Sequence, residues 1–473
     1  LNSETLSDII PSIIDVEKIY MLEYPEVSDA SAYGVTKPAA TQALFNSVRN
    51  GTAIINYIGH GSAFQLAQEK LLYLNRGDLE NIKTNGRMPL WIVGTCSFGH
   101  FDDPIAESFG EELIRYPMDA ASAVISTCRP ITVTGNERYT QDIFENLFNE
   151  DGISSLPLGI CLQSIKNGST ESEYFHLFGD PALKIPMAKN RINNITIEAE
   201  TLKTLSIAEI SFNHELATNN GSGVVLIKDA ERRVTRSYNI ASTTQTLSYD
   251  LPGATLFRGN FNLSEGNNSV DVRIPQDISY SQNSSKILIY LINDGVENIS
   301  EINPIYLVGG DGTMDSNGPL INFKSSSGKI FRSGDHKSSK EKIIAEITDP
   351  LGINLTKELG HSIVIKNLDN NHSIDITDDF FYDNNSITTG RINLENYFIT
   401  NVNYSLIAWD NANNPSEQEI RLISSQNEDL RLFNAYNFPN PFTNETKFTF
   451  ELSSEADISI NVFTIGGKKI KNF

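Results

Sequence analysis

The hydrophobic pattern of this chain changes character near residue 188, and that change limits the folds open to it. Before it, short apolar runs alternate with amphipathic stretches. Residues 16–22, 52–58, 88–94 and 120–127 read as strands, and residues 38–50, 76–85, 104–115 and 139–148 as helices. Such alternation builds a largely parallel sheet covered on both faces, because parallel strands need long crossovers and these are usually helices. Beyond Asn190 the helical period disappears. Asn, Ser, Thr and Ile dominate, and alternating runs at 207–212, 223–227, 269–274 and 286–292 are separated by turn clusters, the pattern of an all-β sandwich. A Gly- and Asp-rich linker at 308–319 precedes a second β block with runs at 342–347, 361–365 and 403–409. The expected organisation is therefore multidomain: an α/β domain over 1–188, β-sandwiches over 189–310 and 311–430, and the start of another β unit over 431–473.

Charge narrows the partners. Lys+Arg 37 against Asp+Glu 59 leaves −22, shared along the whole chain. Nucleic acid is excluded, since phosphate binding needs a basic footprint. Three cysteines, Cys96, Cys128 and Cys161, are too few for a disulfide framework or a four-cysteine zinc site. No apolar run approaches the roughly 20 residues of a membrane helix. The chain opens on Leu1 rather than Met and stops at Phe473 inside a strand pattern, which reads as part of something longer.

The chemistry sits at two strand ends. Residues 54–58 lead into Gly59-His60-Gly61, and residues 90–94 lead into Thr95-Cys96-Ser97. Ligands of open α/β sheets bind outside the carboxyl ends of strands. Parallel neighbours here bring His60 and Cys96 to one edge, and an imidazole beside a thiol supplies both base and ion-pair partner. The N–H groups of Gly61 and Cys96 are candidate oxyanion donors. The competing reading makes Cys96 a small core hydrophobe and His60 a turn residue. His361, also preceded by glycine but in a block without cysteine, reads as structural, and Cys128 and Cys161 as packing. His100 and His176 are candidates to flank a site. The acidic runs 369–372 and 378–385 offer oxygen ligands without EF-hand spacing, so structural calcium has no firm support and solvated loops are the simpler expectation. Residues 409–415 read as a strand end plus turn.

These residues also carry a resemblance. NYIGHGS at 56–62, GTCSFGHFDDP at 94–104 and FHLFGDPAL at 175–183 resemble the motifs of the gingipain-type cysteine peptidases, whose fold is caspase-like. DPLGIN at 349–354, GHSI at 360–363, AWDNANN at 408–414 and NFPNPFTNETKFTF at 437–450 are similar to the sortase branch of that family, which serves type IX secretion in Bacteroidota. The resemblance implies Cys96 as nucleophile, His60 as general base and acid, and no cofactor required for catalysis. It implies as partners secreted cargo with C-terminal signal domains, an anionic lipopolysaccharide acceptor and the outer-membrane barrel protein PorV. It places the protein at the cell surface, associated with the outer membrane, and makes 431–473 an incomplete signal-type β domain. The alternatives are a secreted gingipain-like endopeptidase and a non-catalytic β-rich surface scaffold.

Overall fold

The computed structural model describes residues 2–30, 34–117, 119–148, 155–188, 190–192, 194–214, 221–240, 243–264, 266–312, 315–424, 432–452 and 456–473. The chain forms two compact units, Leu1–Gly312 with Asn384–Ser386, and Thr313–Asp383 with Ile387–Phe473.

The first unit opens with an α/β segment. In chain order its main elements are α1 (Asn2–Ile9), α2 (Pro38–Gly51), β1 (Ile54–Ile58), β2 (Leu90–Gly94), α3 (Phe109–Arg115), β3 (Ala123–Thr127), α4 (Val133–Leu147), α5 (Leu158–Ile165) and β4 (Phe175–Phe178). The sheet order is β1-β2-β3-β4, parallel across the first three strands and antiparallel at β4. All five residues of β2 are buried, and so are all five of β3, because helices cover both faces. Alternation divides their side chains. Trp91 and Val93 pack with Ala40, Leu44 and Val48 of α2 and with Phe109 and Leu113 of α3. Leu90 and Ile92 face Ile143, Phe144 and Leu147 of α4 and Leu158 of α5.

Local chemistry sets the helix starts. Pro in the first turn begins α2. Ser108 and Glu111 form a capping box on α3. The Thr132 hydroxyl accepts from the Gly135 amide to start α4. Residues 16–22 correct the sequence reading: they hold no strand, and only Met21–Glu23 turns, as a single 3-10 turn. Side chains fix this stretch instead. Lys18 donates to the Asp250 carbonyl at 2.8 Å and pairs with Glu4, and Arg236 grips Glu23 through two 2.8 Å bonds.

The rest of the first unit is β structure in two sheets and a hairpin. Thr196–Ile197, Ile207–His214 and Gly266–Arg273 make one sheet. Thr201–Lys203, Val296–Val308, Ser285–Asn293, Ser222–Lys228 and Thr255–Asn262 bond in that order in the other. Arg232–Ile240 pairs with Thr243–Leu251. In the second unit Phe381–Tyr382, Thr389–Asn393, Ile343–Thr348 and Leu320–Ser325 bond in order, as do His372–Asp375, Val364–Asn367, Asn403–Trp409 and Pro415–Arg421. Its last strands form separate ladders, Leu432–Phe438 with Lys447–Leu452, and Asn461–Phe463 with Lys469–Asn472. Among the described residues no helix is long and apolar enough to cross a membrane.

Candidate active site

β1 and β2 are parallel neighbours, with Ile58 opposite Gly94. Each chain runs two residues past that pair, one reaching His60 and the other Cys96. The ladder closes with the Gly59 amide donating to the Gly94 carbonyl at 3.3 Å. The sheet edge thus presents imidazole and thiol from adjacent strand ends.

The thiol side is fixed by bonds from neighbouring elements. Asn136 of α4 donates from its side-chain amide to the Gly94 carbonyl at 2.7 Å. Ser126 of β3 donates to the Val93 carbonyl at 2.9 Å, and the Thr127 hydroxyl donates to the carbonyl of Thr95. After Cys96 the backbone turns at Ser97, which adopts φ +56°. The Ser97 and Gly99 amides then bond the carbonyls of Arg129 and Thr127 at 3.3 and 3.0 Å. Cys96 itself is half-buried, and its Sγ lies 3.8 Å from the Ile131 carbonyl, a weak thiol contact. Among the described residues the Cys96 N–H joins no backbone bond of this turn.

The imidazole side is held through its backbone, leaving the ring in solvent. The His60 carbonyl accepts from the Tyr57 hydroxyl at 2.7 Å and from the Ala67 amide at 2.8 Å. Burial raises the Tyr57 phenol well above its ordinary range, so this donor keeps its proton. Gly61 lies opposite Leu66 in a two-residue antiparallel ladder. A Cβ there would stand 2.6 Å from the Thr95 hydroxyl and 3.0 Å from the Gln65 carbonyl, so only glycine lets the His60 loop close on the Cys96 turn.

The other sequence candidates separate cleanly. Cys128 and Cys161 are buried, burial raises both thiols, and Cys161 is pushed up to about 11. His100 and His176 lie beside the turn that follows Cys96. The His100 ring is 3.4 Å from Asp102, Arg129 pairs with Asp102 at 2.8 Å, and Phe101 packs edge-on against His176. The Arg129 guanidinium holds the Asp102 carboxyl down at about 2. Burial, with Lys166 nearby, lowers the His176 imidazole. The His361 ring lies tilted against Trp409, centroids 4.4 Å apart, a packing role. The acidic runs are occupied by protein partners: Asp369 bonds Asn403, Asp378 pairs with Lys357, and Asp383 lies 3.2 Å from Arg391.

Asn136, Thr127 and Thr95 escaped the sequence reading. A hydrophilic residue inside a helix carries no periodic signal, and Asn136 meets a partner 42 residues away. The one available hint was Gly94, a glycine inside an otherwise apolar strand, which often marks close backbone approach.

Residues 2–186 match the model of peptidase family C25, which bears out the gingipain-type resemblance over that segment. The match covers the α/β segment and not the chain as a whole, so cysteine peptidase is the kind of protein that segment is similar to. Among solved structures, the chain is similar to dimeric latent PorU from Porphyromonas gingivalis, at 19% identity and TM-score 0.31, over 75% of this chain and 36% of that one. It is also similar to a structure described as a protease, at 16% identity and TM-score 0.26, over 55% of each chain. A third likeness is the complex of Porphyromonas gingivalis RgpB pro- and mature domains, at 12% identity and TM-score 0.27, over 57% of each. No curated protein matches the chain. The chain spans little more than a third of the PorU structure to which it is similar.

Proposed function

We propose that this protein is a cell-surface cysteine peptidase and transpeptidase, the sortase of type IX secretion. It would cut C-terminal signal domains from secreted cargo and pass the new carboxyl end to anionic lipopolysaccharide. The observation that carries the chemistry is the Ile58–Gly94 pairing, from which His60 and Cys96 each stand two residues away at one sheet edge. Cys96 thiolate attacks the scissile carbonyl while His60 holds the thiol proton. The tetrahedral oxyanion takes hydrogen bonds from the N–H groups of Cys96 and Gly61. His60 returns the proton to the departing amine, the C–N bond breaks, and a thioester remains on Cys96. An amine of the lipopolysaccharide, or water, attacks that thioester and restores the thiol. No cofactor enters these steps.

The sortase reading is supported by the motifs at 349–354, 360–363, 408–414 and 437–450, which lie outside the segment that matches the peptidase family. It brings with it the barrel protein PorV as an outer-membrane partner, with residues 431–473 as the signal-type region.

The test is Cys96→Ala in the producing organism, followed by mass analysis of secreted and surface cargo. Cargo that keeps its signal domain and lacks lipopolysaccharide supports the sortase. Normally matured cargo with reduced extracellular proteolysis makes the protein an endopeptidase. No change in either removes Cys96 from the chemistry and leaves a surface scaffold.

A further inference from the structure

The second unit gathers three carboxylates far from any peptidase residue in sequence. Asp315, Asp349 and Asp410 each offer an oxygen within 4.8 Å of the other two. Asp410 is fully buried, Asp349 is 2% exposed and Asp315 is half-buried. Asp315 precedes strand Leu320–Ser325, Asp349 directly follows Ile343–Thr348, and Asp410 directly follows Asn403–Trp409. Like charges held this close repel more strongly as water is excluded. Asp410 is partly compensated: the amides of Ala412 and Asn414 bond one oxygen at 2.9 and 2.7 Å, and the Asn414 side chain bonds the other at 2.9 Å. Burial still pushes its carboxyl up, and the charge of Asp315 adds to the push.

Asn411 adds an independent sign. Its side chain is fully buried, and its amide nitrogen donates at 2.8 Å to the Leu351 carbonyl, in the turn that follows Asp349. Its amide oxygen has no hydrogen-bond partner. An oxygen buried bare is costly unless something takes its lone pairs. Asn411 adjoins Asp410 in the chain, and its backbone N–H also bonds the Gly352 carbonyl at 3.0 Å, in the turn after Asp349.

The donor set is all oxygen, which suits a hard cation. Calcium takes oxygens at about 2.3–2.6 Å, so two on opposite sides stand roughly 4.8 Å apart, whereas magnesium demands a tighter octahedron. We propose that Asp315, Asp349 and Asp410, joined by the Asn411 amide oxygen and completed by water, bind a structural calcium ion. The ion ties the stretch before the unit's first strand to the ends of two others. The site's residues are other than those of the peptidase chemistry and of the acidic runs 369–372 and 378–385.

Trp409 adjoins Asp410 and is one of two tryptophans in the chain, so it can sensitise terbium luminescence. Chelator-treated full chain is titrated with terbium and then with calcium or magnesium. The expected result is sensitised emission that calcium displaces at lower concentration than magnesium. Asp315→Asn, at the least buried position, weakens terbium binding at least tenfold, while Asp369→Asn leaves it unchanged. Calcium also raises the thermal midpoint of the unaltered protein and not that of Asp315→Asn, whose midpoint in chelator is no lower than the parent's because one like charge is gone. Absent emission, emission indifferent to Asp315→Asn, or a midpoint indifferent to calcium overturns the site.

Discussion

Gly94 and Asn136 meet where the central strand of the α/β sheet ends. The Asn136 amide nitrogen donates to the Gly94 carbonyl at 2.7 Å, and its amide oxygen fills the space that a Cβ on Gly94 would need. A helix thereby holds the strand end that carries Cys96 two residues later. The same carbonyl accepts the Gly59 amide, so the bond also anchors the chain leading to His60.

That relationship predicts the cost of breaking it. Asn136→Ala removes one of the two donors to the Gly94 carbonyl, which keeps the Gly59 amide, a loss of about 0.5–1.5 kcal/mol. Gly94→Ala drives a methyl into the amide and costs about 1–3 kcal/mol through overpacking. Denaturant titration of the full chain measures both, and the double variant should lose less than the sum of the singles because the two changes remove one contact. Strict additivity contradicts the coupling.

At the His60 loop the prediction concerns rate more than stability. Gly61→Ala places a methyl against the Thr95 side chain, 2.6 Å from its hydroxyl and 2.9 Å from its methyl. Peptidase activity should fall at least tenfold with little change in global stability. Adding Thr95→Ala removes the two nearest obstructing atoms, leaving the Gln65 carbonyl at 3.0 Å, and should restore part of the rate. Failure of the second change to restore any rate shows that the Thr95 contact does not set the loop.

The thiols should separate by labelling. Cys96 is half-buried, whereas Cys128 and Cys161 are buried with raised pKa, Cys161 at about 11. A raised thiol pKa means less thiolate at neutral pH and slower alkylation. Peptide mapping after brief iodoacetamide treatment of the native chain should find Cys96 modified first and Cys161 last. Labelling of Cys128 at the rate of Cys96 contradicts this order.

Asp102 gives the pH dependence. Arg129 lowers its carboxyl to about 2, from an ordinary value of 3.8. A depressed carboxyl contributes stability above its unfolded pKa and loses it as pH falls through the folded one. Asp102→Asn should therefore match the parent near pH 2 and be the less stable of the two above about pH 4. The pair is exposed, so the difference should shrink in high salt. A gap that persists unchanged at pH 2 points to packing rather than charge.

How much of this was legible in sequence depends on where each partner lies. Residues 54–58 and 90–94 are readable as strands, each leading within two residues to a reactive side chain, while their parallel pairing comes from the structure. Asn403–Trp409 appears with the bounds its alternation suggested. Helix α4 begins at Val133, six residues ahead of the expected start, where the Thr132 hydroxyl accepts from the Gly135 amide and caps it. Residues 76–85 give a helix of only four residues, Asp78–Asn81, since little apolar surface is there to bury. Helix α5 and strand β4 were not foreseen as elements. The carboxylate trio was invisible: Asp315, Asp349 and Asp410 are 34 and 61 residues apart, and 409–415 alone reads as a turn.

The central claim is that Cys96 carries the acyl group and His60 moves its proton. Its most direct measurement is intact and peptide mass analysis of the full chain after reaction with a peptidyl acyloxymethyl ketone, in the unaltered protein and in His60→Ala. The account predicts one adduct, on Cys96, formed at least a hundredfold more slowly without His60. An adduct on another cysteine, or the same rate in both proteins, contradicts it.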